Sequence, residues 1–225
     1  MFSAVTADQS YVALEAIVPH LRPGQIVVDI NSVSPGRKRK SAELVENTGA
    51  MYLDMAAMAP VHPRGHATPV IVAGRCCTVA CPVLRKLSFD FFEAGNEPGQ
   101  ATAIKMVRSL FVKGLEAITV ETLLAAQASG CLEEILASLS KSYPGLGWPD
   151  FASYQFERIL RHGKRRAAEM QESAVTLSAL GLNGRLAEEI AAIHELMGSI
   201  GEGGISSQDL ADLAGEARQR RSEGA

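Results

Sequence analysis

Aromatic residues are scarce: they make up 5% of the 225 residues, with a single tryptophan. The core therefore has to be filled by aliphatic side chains, and the alanine and leucine that crowd the second half suit packed helices. A basic excess is also missing. The formal net charge is −3, which argues against the cationic patch of a nucleic-acid binder. No uninterrupted apolar run reaches the roughly 20 residues of a membrane-spanning helix. The first residues lack the basic segment and long apolar stretch of a secretory leader, so the expected location is cytoplasmic, with no membrane partner. The four cysteines, Cys76, Cys77, Cys81 and Cys131, include no Cys-x-x-Cys pair. Zinc-finger spacing is thus absent, and the thiols read as buried and reduced. His62 and His66 stand four apart, but Pro60 and Pro63 oppose a helix there, and no metal site is expected.

What is present changes character along the chain. The first part alternates short apolar runs with helical patterns. Phe2–Val5 reads as the end of a strand, and Asp8 fits the N-cap of a helix reaching about His20. Gln25–Ile30 and Met51–Ala56 read as strands on either side of a helix that starts near Pro35 and ends at Gly49. A proline-rich loop over residues 59–69 leads into the strand Val70–Ala73. A helix over residues 76–87 and a strand over residues 88–94 complete this region. Strands alternating with helices indicate βαβ units and a mostly parallel sheet.

From Ala101 to Ser129 there is no proline, and the only glycine is Gly114. Apolar residues recur at helical spacing through Ile104, Val107, Leu110, Phe111, Leu115, Ile118, Leu123 and Leu124. At about 1.5 Å per residue this helix is roughly 40 Å long, which suits the spine of a helical domain better than the face of a small sheet. Further helices are expected over residues 132–142, 151–162, 163–180 and 186–197. A last one, over residues 206–221, opens on a capping signal at Ser206. The order is α/β followed by all-α, with the boundary near Glu97. The cationic run Arg161 to Arg166 reads as a solvated helix surface.

Lys105 lies just past that boundary, after Pro98-Gly99, with Arg108 and Ser109 one turn further along the same helix. Taken alone, it reads as a solvated surface lysine. At a junction between domains, where ligand sites concentrate, it also reads as an acid/base or anion-binding group.

Three segments then fall into a recognisable order: Asp29-Ile-Asn31-Ser32-Val-Ser-Pro35, Asp54-Met-Ala-Ala-Met58-Ala-Pro60, and Gly99 to Ser109. Together they resemble the β-hydroxyacid dehydrogenase and 6-phosphogluconate dehydrogenase superfamily, over nearly the whole chain. The stretch Lys105 to Glu116, with Glu121 beyond it, is similar to a branch in which a helical C-terminal domain of unknown function follows the nucleotide-binding domain. The resemblance implies a partial Rossmann-type sheet in residues 1–97 and a helical substrate and dimerisation domain in residues 98–225. It implies a homodimer, NADP or NAD as cofactor, and a small hydroxy acid or related alcohol or carbonyl as substrate. By the same resemblance Lys105 is the catalytic acid/base. Asn31 and Ser32 lie beside nicotinamide and substrate, and Thr6 lies near the nicotinamide ribose. Met58, Arg108 and Ser109 occupy substrate-binding positions.

Two departures stand out. Met58 replaces a substrate-binding serine of the family pattern. Ser109 replaces an asparagine one turn after the lysine, exchanging an amide for a shorter hydroxyl. A third concerns the cofactor. A dinucleotide fold opens with a strand, a Gly-x-Gly-x-x-Gly turn and a helix that cradles the pyrophosphate. No such opening is found; Gly201-Glu-Gly-Gly204 lies among the C-terminal helices. The chain reads as starting at what would be the fourth strand of that domain. Weak or no NAD(P) binding by this chain alone is therefore expected, with Phe2–Val5 as an exposed sheet edge. The alternative is a non-catalytic helical dimerisation or ligand-binding module that has lost cofactor binding.

Overall fold

The computed structural model describes residues 1–204 and 209–223. Two compact units divide the chain: Met1–Ser109 with Glu172–Gly184, and Leu110–Gln171 with Arg185–Ala225.

The first unit is built on a five-stranded sheet in chain order, β1 (Phe2–Ser3), β2 (Ile26–Asp29), β3 (Met51–Ala57), β4 (Val70–Ala73) and β5 (Phe91–Gly95). Helices α1 (Ser10–Ile17), α2 (Pro35–Glu46) and α3 (Cys77–Lys86) form the parallel crossovers. All neighbours are parallel except β3 and β4. The reason lies in the connection. A crossover needs a helix-sized segment, and between Ala57 and Val70 there is only a short 3-10 turn at Gly65–Ala67. The chain returns beside itself, with Met58 N–H donating to Pro69 O at 2.9 Å. The two-residue β1 pairs with β2 alone and forms the sheet edge, where Phe2 is half exposed.

Side chains alternate across the sheet with the period of two that strands impose. Val28, Leu53, Met55, Val70 and Val72 pack under α3 with Cys77, Ala80, Cys81 and Leu84. Val27 and Tyr52 pack with Leu14, Ala42 and Val45 of α1 and α2. Asp29 and Asp54 are partners in the β2–β3 register, on the same face as Val27 and Tyr52. The expected N-cap at Asp8 is not made. Helix α1 starts at Ser10 after Gln9, with no side-chain cap, and the Asp8 carboxylate accepts from Gln9 Nε2 at 2.8 Å.

Among the described residues five α-helices follow: α4 (Gln100–Ser129), α5 (Leu132–Ser142), α6 (Asp150–Ala179), α7 (Arg185–Glu202) and α8 (Leu210–Glu223). The capping signal at Ser206 falls outside the described residues. In the second unit Val120, Leu123, Phe156, Ile159, Met197, Leu213 and Ala217 form one apolar core.

Helix α6 is continuous where a break at Gly163 was expected. Gly163 serves close approach instead. A β-carbon there would come within 2.2 Å of His194 O and 2.7 Å of Gly198 Cα in α7. An isolated helical glycine thus has a packing reason rather than a breaking one. Arg166 also departs from the solvated surface expected for its run: it is 5% exposed and pairs with Glu116 at 2.7 Å. Lys113 pairs with Glu169 at 2.8 Å, and both are buried. His194, with no exposure, lies 3.1 Å from Lys113 O through Nε2. Lys113, Glu116 and Glu121 of the family-like stretch are therefore ion-pair members of the second unit, Glu121 through Arg221.

Candidate functional site

The site begins with a problem of like charge. Strand register sets Asp29 and Asp54 side by side on one face, both without solvent exposure. Two adjacent buried carboxylates require a counter-charge. Lys38, also fully buried, supplies it, with Nζ 3.1 Å from Asp29 Oδ1 and 3.3 Å from Asp54 Oδ1. The same ammonium donates to Asp29 O at 2.6 Å. Tyr52 OH donates to Asp29 Oδ2 at 2.5 Å. Burial, and then the Asp29 charge, hold the Tyr52 phenol well above its usual range, so it remains a donor.

Each carboxylate then organises one of the family-like segments. Asp29 Oδ1 accepts from Asn31 N at 2.9 Å and so shapes the loop after β2. Asp54 Oδ2 accepts from Gly99 N at 3.1 Å and Thr102 N at 3.0 Å. It thereby caps the start of α4, where the free N–H groups and helix dipole favour an anion. Gly99 has φ +98°, and a β-carbon there would stand 3.0 Å from Pro35 O, so glycine is required at this crossing. Thr102 Oγ1 donates to Val33 O at 2.7 Å and joins helix to loop. Ser34 N donates to Glu172 Oε2 at 2.7 Å, and Glu172 pairs with Arg37 at 2.9 Å.

Lys105, one turn beyond Thr102, is half-buried and donates from Nζ to Ser32 Oγ at 2.6 Å. Lys105 and Ser32, chosen from sequence, are thus brought together. They lie just past the carboxyl end of β2, where open α/β sheets place their ligands. Asn31 is adjacent but turned inward: Oδ1 accepts from Val5 N at 2.6 Å and Nδ2 donates to Ser3 Oγ at 3.0 Å. The amide ties the loop to the end of β1, and the exposed Thr6 follows directly after Val5. Ser109 is buried one turn past Lys105, and Arg108 is exposed. Met58 packs instead against Ala56, Ile71, Ala73 and Ala101.

Sequence reasoning missed Lys38, Tyr52, Thr102 and Glu172. Lys38 sits in the run Arg37-Lys-Arg-Lys40, which reads as solvated. One signal could have found it: Lys38, Ser41, Ala42 and Val45 form the i, i+3, i+4, i+7 stripe that α2 buries. The same geometry bears on a dinucleotide phosphate. The N-termini of α2 and α4 already hold the carboxylates of Glu172 and Asp54.

A domain of unknown function, DUF1932, matches residues 126–197. A conserved hypothetical protein from Sinorhizobium meliloti 1021 is 33% identical, with TM-score 0.78, over 97% of this chain and 74% of that one. A conserved protein of unknown function, described as structurally similar to 3-hydroxyacid dehydrogenases, is 29% identical with TM-score 0.72, over 95% and 76%. The 3-hydroxyisobutyrate dehydrogenase of Mycobacterium tuberculosis shares the fold at 15% identity and TM-score 0.69, over 98% and 78%. An uncharacterised 28.5 kDa protein of Methanothermus fervidus is 27% identical over 147 residues, 65% of this chain. The match covers 56% of that protein, so the chain spans little more than half of its curated relative. With the sheet, the helical second unit and these likenesses together, the chain belongs to the β-hydroxyacid dehydrogenase and 6-phosphogluconate dehydrogenase-like superfamily, in a branch with a C-terminal domain of unknown function.

Proposed function

We propose that this chain carries the substrate- and proton-handling part of an NAD(P)-dependent oxidoreductase acting on a small hydroxy acid or a related alcohol or carbonyl. One observation carries the reading: Lys105 Nζ rests 2.6 Å from Ser32 Oγ at the carboxyl end of β2. In the oxidative direction a neutral Lys105 takes the substrate hydroxyl proton; in the reverse direction its ammonium returns one to the forming alkoxide. Ser32 Oγ accepts from Lys105, leaving its own O–H proton for a substrate oxygen. Nicotinamide supplies the hydride chemistry. Exposed Arg108, one turn from Lys105, provides a positive charge for a substrate carboxylate, and Ser109 and Met58 shape the remainder.

Thr6 and Ser32, past the ends of neighbouring strands, suit the ribose and nicotinamide end of NADP or NAD. The pyrophosphate end fits less well: the N-termini of α2 and α4 are filled by Glu172 and Asp54. That mismatch favours the second reading, a non-catalytic helical module, and supports weak cofactor binding by this chain alone. Homodimerisation belongs with the second unit in this proposal, where Phe111 and Ile118 leave 71% and 65% of their surface exposed.

The test is turnover of short-chain 3-hydroxy acids with NADP or NAD at millimolar concentration, beside a titration of NADPH. Slow but measurable reduction of the nicotinamide with weak NADPH binding is the expected result. NADPH binding at low micromolar concentration would contradict the cofactor expectation. Absence of turnover with every hydroxy acid would favour the non-catalytic module.

A further inference from the structure

We propose that Cys77, Cys81 and Glu93 form a binding site for one thiophilic divalent cation of the zinc type. The site is independent of the acid/base reading. It belongs to the sheet face that packs under α3, whereas Lys38 and the two aspartates belong to the other.

Three observations place the donors together. Cys77 and Cys81 are four apart on α3, so both sulfurs leave the same side of the helix. Glu93 on β5 is the register partner of Val72, and Val72 packs in the core beneath α3. One donor atom from each of the three residues lies within 4.8 Å of the other two. Cys81 Sγ to Glu93 Oε2 is 3.6 Å. Tetrahedral zinc, with bonds of about 2.3 Å to sulfur and about 2.0 Å to oxygen, sets neighbouring sulfur and oxygen ligands roughly 3.5 Å apart. The metal-free distance is therefore close to that of a coordinated pair.

The donor set selects the metal. Two thiolates and one carboxylate suit zinc and its softer neighbours, whereas magnesium and calcium call for oxygen ligands throughout. Three protein ligands leave a fourth position for water. Both thiols are buried, while the exposed Glu93 gives the cation a way in. Without metal, burial pushes Cys77 up to about 12 and also raises Cys81, so both are thiols at neutral pH. Binding breaks two S–H bonds, forms two metal–sulfur bonds and sends two protons to solvent. Arg85 is the neighbouring cation; its guanidinium lies over the Phe91 ring, 5.3 Å from the centroid. A search for Cys-x-x-Cys misses this arrangement because one turn of helix separates the two cysteines by four positions, not three.

The test is titration of the reduced full chain with Co²⁺ alone, followed by absorbance. One equivalent is expected to raise a near-ultraviolet sulfur-to-cobalt charge-transfer band and the visible bands of tetrahedral cobalt. One equivalent of Zn²⁺ should bleach both. Cys77→Ser and Cys81→Ser should each weaken or remove the charge-transfer band, whereas Cys131→Ser should retain it. Glu93→Gln alters an exposed residue and spares the core; it should lower the cobalt affinity about tenfold or more, with unchanged circular dichroism. A chain that shows no sulfur band at several equivalents of Co²⁺ overturns the proposal. So does a band that survives loss of both Cys77 and Cys81, or an affinity indifferent to Glu93→Gln.

Discussion

Lys38 holds more of the site than its neighbours in sequence suggest. Its ammonium offsets two buried carboxylates, one shaping the Asn31–Ser32 loop and the other capping the helix that carries Lys105. Lys38→Met leaves both acids buried without their counter-charge. The expected cost is about 3–5 kcal/mol, read by urea denaturation; a loss near that of a surface pair, under about 1 kcal/mol, would contradict this role. His194 gives the molecule a pH dependence of definite sign. Burial lowers its pKa from the ordinary 6.5 to about 4. Below 6.5 the unfolded chain takes up a proton that the folded chain refuses, so stability falls as the pH drops toward 4. The fall approaches roughly 3 kcal/mol. Glu116, raised by burial, works in the opposite direction and softens it. His194→Gln should flatten the difference between urea midpoints at pH 7 and pH 4.5, and an unchanged difference would assign it elsewhere. At this scale a motif in the sequence singled out Lys105 and Ser32, whose side chains meet, but not Lys38, because a lysine among cations looks solvated until its helix face is known.

The elements were largely legible, and the misses have local causes. Strand Val70–Ala73 and helix Leu132–Ser142 lie where the apolar periodicity places them. The antiparallel step from β3 to β4 was not legible, because an apolar strand looks the same in either direction. The absence of a helix between them decides it. Gly163 carries the clearest lesson: a glycine inside a helical pattern marked a contact rather than an end. Its hydrogen is all the room that α7 leaves, with His194 O and Gly198 Cα both too near for a β-carbon. Gly163→Ala should therefore destabilise the chain by about 1–3 kcal/mol, the usual cost of overpacking, despite alanine's better helix propensity. A stability equal to or above native in thermal melts would contradict the close approach.

At the scale of the whole molecule, the order α/β then all-α was visible in the spacing of the apolar residues. The division into compact units was less so: Glu172–Gly184, late in the chain, belongs with the sheet. Glu172 shows why, since its carboxylate serves Ser34 and Arg37 near the start of α2. A contact 138 positions away in sequence leaves no periodic trace. Among the described residues no helix is long and apolar enough to cross a membrane. In the proposed function Lys105 moves the proton, and Asp29, Lys38 and Asp54 hold it in place. Turnover of a 3-hydroxy acid at millimolar cofactor, compared between the native chain and Lys105→Met, tests it most directly. A loss of about 10²–10⁴-fold in kcat with an unchanged melting temperature is expected. Turnover that survives Lys105→Met undiminished would contradict it.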